Sequence, residues 1–235
     1  MKVGVDLHLH SCLSPCAEDE MTPNNLVNMA WLQGIRVLAV TDHNSARNLP
    51  ACAAVAKQRD IALLPGLEVT TREEVHCLCY FREVEQAMAF SDVLYGHLGE
   101  IPNVPRVFGN QWVMDENDRI LAAEPRWLPQ ATDWSLEELV EAAGRMGGLA
   151  VPAHINRGSN GLLVALGMLP PGIRFTALEL SRASPLPALD LSGYVTVYAS
   201  DAHRLEAILP PPCELELPAA TAQATFDHLA AGIRN

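Results

Sequence analysis

Along KVGVDLHLH polar and apolar residues alternate, so that a strand would carry Asp6, His8 and His10 on one face and Leu7 and Leu9 on the other. Thr22-Pro23 then signals the start of a helix that runs to Gly34. IRVLAVT is a short buried strand ending at Asp42-His43, and an alanine-rich helix over residues 49–59 follows. IALLPGLEV predicts the next strand, with Glu68 just past Pro65-Gly66, and VHCLCYF another with His76 near its start; residues 83–97 predict a helix. The stretch from Gly99 to Trp134 breaks this rhythm. It is rich in proline, and QWVMDENDRILA has the pattern of a hairpin turning at Asp115–Asp118, so it is expected to be an insertion over one mouth of the domain.

Alternation resumes at Ser135, which with Glu138 makes a capping box for a helix ending at Gly147-Gly148. LAVPAH, RFTALELS and YVTVYASDAH read as strands, the first ending at His154, the second carrying Glu179, the third ending at Asp201 and His203. Such β/α alternation predicts a mostly parallel sheet, open or closed. It also places His43, Glu68, His154 and Asp201 at the C-terminal ends of apolar strands, where barrel enzymes carry their chemistry.

With 235 residues, 49% of them hydrophobic and 19% charged, the chain has the composition of one sizeable globular domain. Its apolar runs fall short of the roughly 20 residues that cross a bilayer, and MKVGVDLHLHS breaks at Asp6 unlike a signal peptide. The expectation is a cytoplasmic protein with no membrane partner. Sixteen Lys and Arg against 28 Asp and Glu leave a formal charge of −12, which argues against stable duplex nucleic-acid binding. A small anionic substrate or the end of a short nucleic acid stays open, with Arg106, Arg119 and Arg126 as a local basic rim. Of the six cysteines, neither Cys12/Cys16 nor Cys77/Cys79 has C-x-x-C spacing, so they are read as small buried hydrophobes rather than a thiolate site.

Six of the eight histidines (His8, His10, His43, His76, His154 and His203) lie in polar breaks at or near strand ends; His97 and His228 fall in helix-like surface sequence and are assigned no role. A single half-buried imidazole needs only a hydrogen bond. Six converging on one mouth among carboxylates need positive charge between them, and borderline metals take such N/O sites.

DLHLHS at 6–11, TDHN at 41–44, PGLEVTT at 65–71 with His76, PAHINR at 152–157 and SDAH at 200–203 together resemble, in order, the motifs of the PHP (polymerase and histidinol phosphatase) family. The resemblance spans residues 6–203. It implies a distorted (β/α)7 barrel forming a single catalytic domain over 1–235, with the hairpin-containing insertion near 99–134. It further implies two to three divalent ions, Mn, Fe or Zn, held by His8, His10, His43, Glu68, His76, His154, Asp201 and His203, with Glu68 bridging. Where the family has an Asp or His after the H-x-H, this chain has Pro15; Glu18 is the expected loop ligand, with Asp19 and Glu20 as alternatives. Asp6 and Asp42 are expected to accept imidazole N–H groups, and Glu179 to be a structural acid. Arg157 resembles the arginine with which family phosphatases hold phosphate, and Arg204 is a weaker candidate.

Such a site implies hydrolysis of a phosphate mono- or diester by a hydroxide shared between two ions. Arg157 would neutralise phosphoryl oxygens, and Asp201 or a histidine would protonate the leaving oxygen. The substrate would be a small phosphorylated molecule such as histidinol phosphate, a nucleotide, or an oligonucleotide end. Two alternatives make different demands on the sequence. A non-catalytic scaffold should have lost ligands, and an amidohydrolase-type C–N hydrolase should carry a bridging lysine that these motifs lack.

Overall fold

The computed structural model describes residues 1–232. The first half runs β1 (Lys2–Leu9), α1 (Pro23–Leu32), β2 (Val37–Val40), α2 (Leu49–Gln58), β3 (Ala62–Leu63), β4 (Gly66–Thr70), β5 (His76–Tyr80) and α3 (Val84–Tyr95). The insertion holds α4 (Pro105–Phe108), β6 (Trp112–Met114) and β7 (Ile120–Ala123). After it come α5 (Leu136–Arg145), β8 (Leu149–Pro152), α6 (Leu162–Leu166), β9 (Ala177–Leu180), β10 (Val195–Tyr198), β11 (Cys213–Glu216) and α7 (Ala222–Ala230).

The caps form as their sequences dictate. Thr22 accepts a hydrogen bond from the Asn25 amide ahead of Pro23, and Ser135 and Glu138 exchange side-chain bonds with each other's backbone at 3.2 and 2.7 Å. The hairpin turns where expected: the Asp115 amide donates to Arg119 O, and the Asp115 carboxylate accepts from the Asn117 and Arg119 amides. Its strands pair Trp112 with Ala123, and Asp118 in the turn accepts from Thr22 and Asn24, pinning the insertion to the start of α1.

The sheets correct one expectation, that of mostly parallel strands, and stop short of another, that of a barrel. First, the strands are only partly parallel: β1/β2, β2/β3 and β9/β10 are, whereas β4, β5 and β8 form an antiparallel ladder. Only residues 71–75 join β4 to β5, too few for the crossover a parallel pair requires. IALLPGLEV is accordingly two strands, β3 and β4, separated at Pro65, which has no N–H to carry a ladder onward. Second, no closed barrel is found among the described residues. The strands group as β11-β1-β2-β3, β4-β5-β8, β9-β10 and β6-β7.

Single parallel bridges pair Leu9 of β1 with Ala202, past the end of β10, and Glu68 of β4 with His43, past the end of β2, beside the polar cluster. Side chains from β1, β2, β5, β8, β9, β10 and β11 meet in one apolar cluster that includes Val5, Leu7, Val37, Leu78, Val151 and Val197. Helices α1, α2, α3 and α5 pack in a second cluster. Both faces of β1 are therefore buried, and its alternation separates core from polar site rather than core from solvent. The insertion packs Val113 and Leu128 against Leu13 and Leu98 in a third, small cluster. The short α4 and α6, strand β11 against β1, and α7 were not anticipated from the sequence.

Candidate metal centre

The chain's path gathers the histidines from strand ends and turns. His8 lies within β1, with His10 one residue past it; His43 and Asp201 sit three residues beyond β2 and β10, and His154 two beyond β8. His154 and Asp201 adopt positive φ of 29° and 50°, so the chain turns sharply at both. Glu68 is not at a strand end, as expected, but in the middle of β4, opposite Leu78 of β5. The antiparallel pairing explains His76: it opens β5 opposite Thr70, the last residue of β4, and so reaches the same mouth.

Glu68 is the hub. Its Oε1 lies 2.9 Å from His76 Nδ1 and 3.3 Å from His8 Nε2 and His154 Nε2, and its Oε2 lies 3.0 Å from His43 Nδ1 and 3.4 Å from His10 Nε2. Asp201 Oδ1 stands 3.3 and 3.2 Å from the same nitrogens of His8 and His10. Three groups of ligand atoms each fall within 4.8 Å of one another: His8/His10/Asp201, His43/Glu68/His76 and His10/His43/His203. Both Glu68 oxygens, His43 Nδ1 and both nitrogens of His154 are buried without any hydrogen-bond partner. Lone pairs that converge this closely without hydrogen bonds, at nearly complete burial, fit a site for divalent ions.

The imidazoles are oriented from behind. His8 Nδ1 lies 2.9 Å from Glu179 Oε2, a carboxylate that accepts, which leaves Nε2 turned to the cluster. His10 Nδ1 lies 3.0 Å from Ser14 Oγ, whose own proton goes to Asp42 Oδ1 at 2.7 Å, so this hydroxyl accepts from the ring. His203 Nδ1 donates to the carbonyl of Asp201 at 2.8 Å. This corrects the assignment of Asp6 and Asp42 as direct imidazole acceptors. Asp42 accepts from Ser11 and Ser14 and acts on His10 only through Ser14, while Asp6 accepts from the Ser200 amide. Burial pushes Asp6 up to about 6. Glu179, expected to be merely structural, holds His8 and also accepts from the His154 amide. Sequence reasoning missed Ser14, because a serine four residues after a histidine has no distinguishing signal.

Glu18 is also corrected. It is exposed and belongs to none of the three groups; its amide donates to His203 O, and the loop turns its side chain outward. Asp19 and Glu20 are exposed too, and Asp19 is bonded to Asn110. Arg157 does reach the centre, with Nη1 2.5 Å from Asp201 Oδ2 and the side chain 45% exposed.

Charge is concentrated here. Burial alone would raise Glu68, but His76, His8 and His43 hold it well below the usual carboxylate range. Burial would likewise depress His10 and His43, yet His10 is drawn up to about 9 by Asp201 and Glu68, and His43, in spite of the nearby His10, to about 9 by Glu68. Protons and metal ions thus compete for one set of lone pairs. Folded values above the ordinary value of about 6.5 stabilise the metal-free fold fully below about pH 6.5, and that contribution disappears as pH rises through about 9. The chelator-stripped protein should therefore melt at lower temperature at pH 9.5 than at pH 6.5. Metal added at pH 7 should release protons, measurable by titration calorimetry in buffers of different ionisation enthalpy; no proton release would refute the assignment of His10 and His43.

All six cysteines are free thiols. Burial pushes Cys12 up to about 12, and Cys12 joins none of the three ligand groups. Cys16 lines the cavity above the cluster but joins none of the ligand groups. Thiol titration under denaturing, non-reducing conditions should count six, and Cys12→Ser/Cys16→Ser should keep its full metal content; loss of a metal equivalent would establish a thiolate ligand.

A family model described as PHP domain matches residues 6–125. A 5'-3' exoribonuclease of Haemophilus influenzae is 36% identical over 69 residues, covering 29% of this chain and 24% of that protein. A 3',5'-nucleoside bisphosphate phosphatase of Chromobacterium violaceum is 37% identical over 76 residues, covering 31% of this chain and 26% of that protein. The chain thus spans about a quarter of the length of the curated relatives it matches. Among solved structures, the lesion-specific endonuclease Q of Pyrococcus furiosus superposes with a TM-score of 0.71 at 18% identity, over 99% of this chain and 57% of that one. Endonuclease Q bound to a 27-mer duplex substrate with an abasic lesion superposes at 0.69 and 17% identity, over 98% of this chain and 57% of that one. That complex sets the expectation of no stable duplex binding, drawn from net charge, against a neighbour of similar fold that is itself solved with a duplex. No helix among the described residues is long and apolar enough to cross a membrane.

Proposed function

Because this chain belongs to the PHP domain family, we propose that it is a metal-dependent phosphoesterase acting on a phosphate mono- or diester. The observation that carries this reading is the pair of Glu68 oxygens, buried among five imidazole nitrogens at 2.9–3.4 Å with no hydrogen bond between them. His8, His10, His43, Glu68, His76, His154, Asp201 and His203 would hold two to three ions, with Glu68 shared between two of them. Mn, Fe and Zn all suit this donor set. When bound, the ions supply Lewis acidity and activate water at neutral pH.

The chain's own groups then divide the remaining work. Glu179, Ser14 and the Asp201 carbonyl fix three imidazole tautomers, so the ligand nitrogens need no reorganisation. Arg157 lines the same cavity, and its guanidinium would turn onto two phosphoryl oxygens. Without metal, burial would raise Asp201, but His8 and His10 keep it well below the carboxylate range. With ions bound it would serve as a ligand and as the partner of Arg157, and Asp201 or a histidine would protonate the leaving oxygen. The turns after β1, β2, β8 and β10, which carry most of these groups, suit the distorted (β/α)7 barrel that the family resemblance implies, with the insertion as part of the wall.

The deciding experiment is a panel of phosphate mono- and diesters, with an N-acyl amide as control, offered to stripped and to Mn-, Fe- or Zn-reconstituted protein. Hydrolysis of at least one phosphate ester only when metal is present is the expected result. Metal-dependent cleavage of the amide alone would make the chain a C–N hydrolase, and bound metal without any turnover would make it a scaffold.

A further inference from the structure

The metal centre forms only one wall of its cavity. The space measures about 830 Å³, well within the range of roughly 300–1,000 Å³ typical of small-molecule sites and far more than a phosphoryl group fills. Besides His43, Glu68, His76 and Asp201, the lining includes an apolar set from the insertion: Ile101, Val107, Phe108, Trp127 and Pro129. Phe108 and Trp127 stack with ring centroids 4.8 Å apart and planes 24° from parallel. That gap admits no third ring, so a ligand ring would extend the stack from outside.

These side chains stand outside the apolar cores. The third, small cluster is built from Leu13, Leu98, Val113 and Leu128, and neither Phe108, Trp127, Ile101 nor Val107 belongs to any of the three apolar clusters. Ile101 and Val107 remain 47% and 66% exposed. Yet the wall is firmly placed. The Trp127 amide donates to Ile101 O, the Asn103 amide to Pro125 O, and Asn103 Nδ2 to Gly109 O. Gly109, at φ 99°, lets α4 lie against Pro15, whose carbonyl a Cβ there would overlap. An aromatic pair held this firmly in the same cavity as the candidate metal centre is pre-organised to stack a planar group on its free face.

We infer that the Phe108–Trp127 wall is a nucleobase platform, so that the substrate is a nucleotide, free or at the end of a single strand, whose phosphate meets the metal centre while its base stacks on the insertion. The assignment rests on the phosphoesterase reading for the phosphate end only.

Equilibrium binding to the full, metal-reconstituted chain tests it, with AMP and ribose 5-phosphate as probes under conditions where neither turns over, and with a 5'-phosphorylated dinucleotide to separate free nucleotides from strand ends. AMP should bind roughly ten- to a hundred-fold more tightly than ribose 5-phosphate, the scale of one base–aromatic stack. Trp127→Ala should collapse that ratio toward one, Phe108→Ala should reduce it, and Trp127→Phe should restore part of it. Each variant is compared at wild-type metal content and melting temperature; should Trp127→Ala fail to fold, Phe108→Ala and Trp127→Phe carry the test. Equal binding of the two probes by the wild type, binding of neither, or a ratio unmoved by the folded variants overturns the platform. A base-dependent ratio in a protein that hydrolyses no phosphate ester would keep the platform and sink the phosphoesterase reading, and hydrolysis without base preference would do the reverse. Tighter binding of the dinucleotide than of AMP would mark strand ends as the source.

Discussion

Replacing Glu68 with glutamine is expected to remove at least one metal equivalent and to lower kcat/KM by about three powers of ten or more. Five imidazole nitrogens face its two oxygens, so no other side chain contacts as much of the cluster. The substitution keeps the volume but removes the negative charge and turns one oxygen into an NH2 group that only donates. Loss of a partner that merely orients a ligand costs about 10- to 100-fold in affinity or activity; a carboxylate shared by two ions should cost more, because both ions lose charge and spacing together. Any single outer histidine, such as His154 or His203, should cost less. Metal analysis beside kcat/KM on the best substrate of the panel checks this. Near wild-type turnover by Glu68→Gln with its metals in place would show that Glu68 does not span two ions.

What the sequence disclosed follows from how local each signal is. The H-x-H of β1 was legible because residues two apart on a strand share a face, and His8 Nε2 and His10 Nε2 indeed lie 3.1 Å apart. Caps and the hairpin were legible because their chemistry spans three or four residues. Strand direction was not: an apolar run looks the same in a parallel or an antiparallel ladder, and only the shortness of the 71–75 link hinted that β5 returns against β4. The supporting contacts were the least accessible. Glu179 meets His8 across 171 residues, and Asp42 reaches His10 through Ser14, 28 residues away. A carboxylate next to a histidine in sequence, as in Asp42-His43, invites pairing the two, but the turn after β2 sends them to different partners. The loop ligand failed for a similar reason. Counting residues through SCLSPCAEDE assumes a loop path, whereas Glu18 is tied to His203 by its backbone and leaves its carboxylate in solvent.

Arg157 should prove to bind substrate rather than support the fold. Its side chain is 45% exposed, and its charged end meets one protein group, Asp201 Oδ2, in the cavity that both line. An ion pair this open to water contributes little to stability, typically below about 1 kcal/mol. Asp201 keeps His8 and His10 as neighbours when the arginine is gone, so its place in the cluster does not depend on that pair. Arg157→Ala is therefore expected to leave melting temperature and metal content nearly unchanged. It should lower kcat/KM by roughly one to three powers of ten, the range found on removing one donor that stabilises developing charge. Arg157→Lys should recover only part of this, since an ammonium cannot present the planar fork that matches two phosphoryl oxygens. Inhibition by inorganic phosphate separates phosphate binding from an effect relayed through Asp201: a phosphate-binding guanidinium predicts weaker inhibition in Arg157→Ala, whereas a residue that only positions Asp201 predicts altered metal affinity with phosphate inhibition intact. If Arg157→Ala unfolds the protein, or stays fully active on every phosphate ester the wild type accepts, the assignment is wrong.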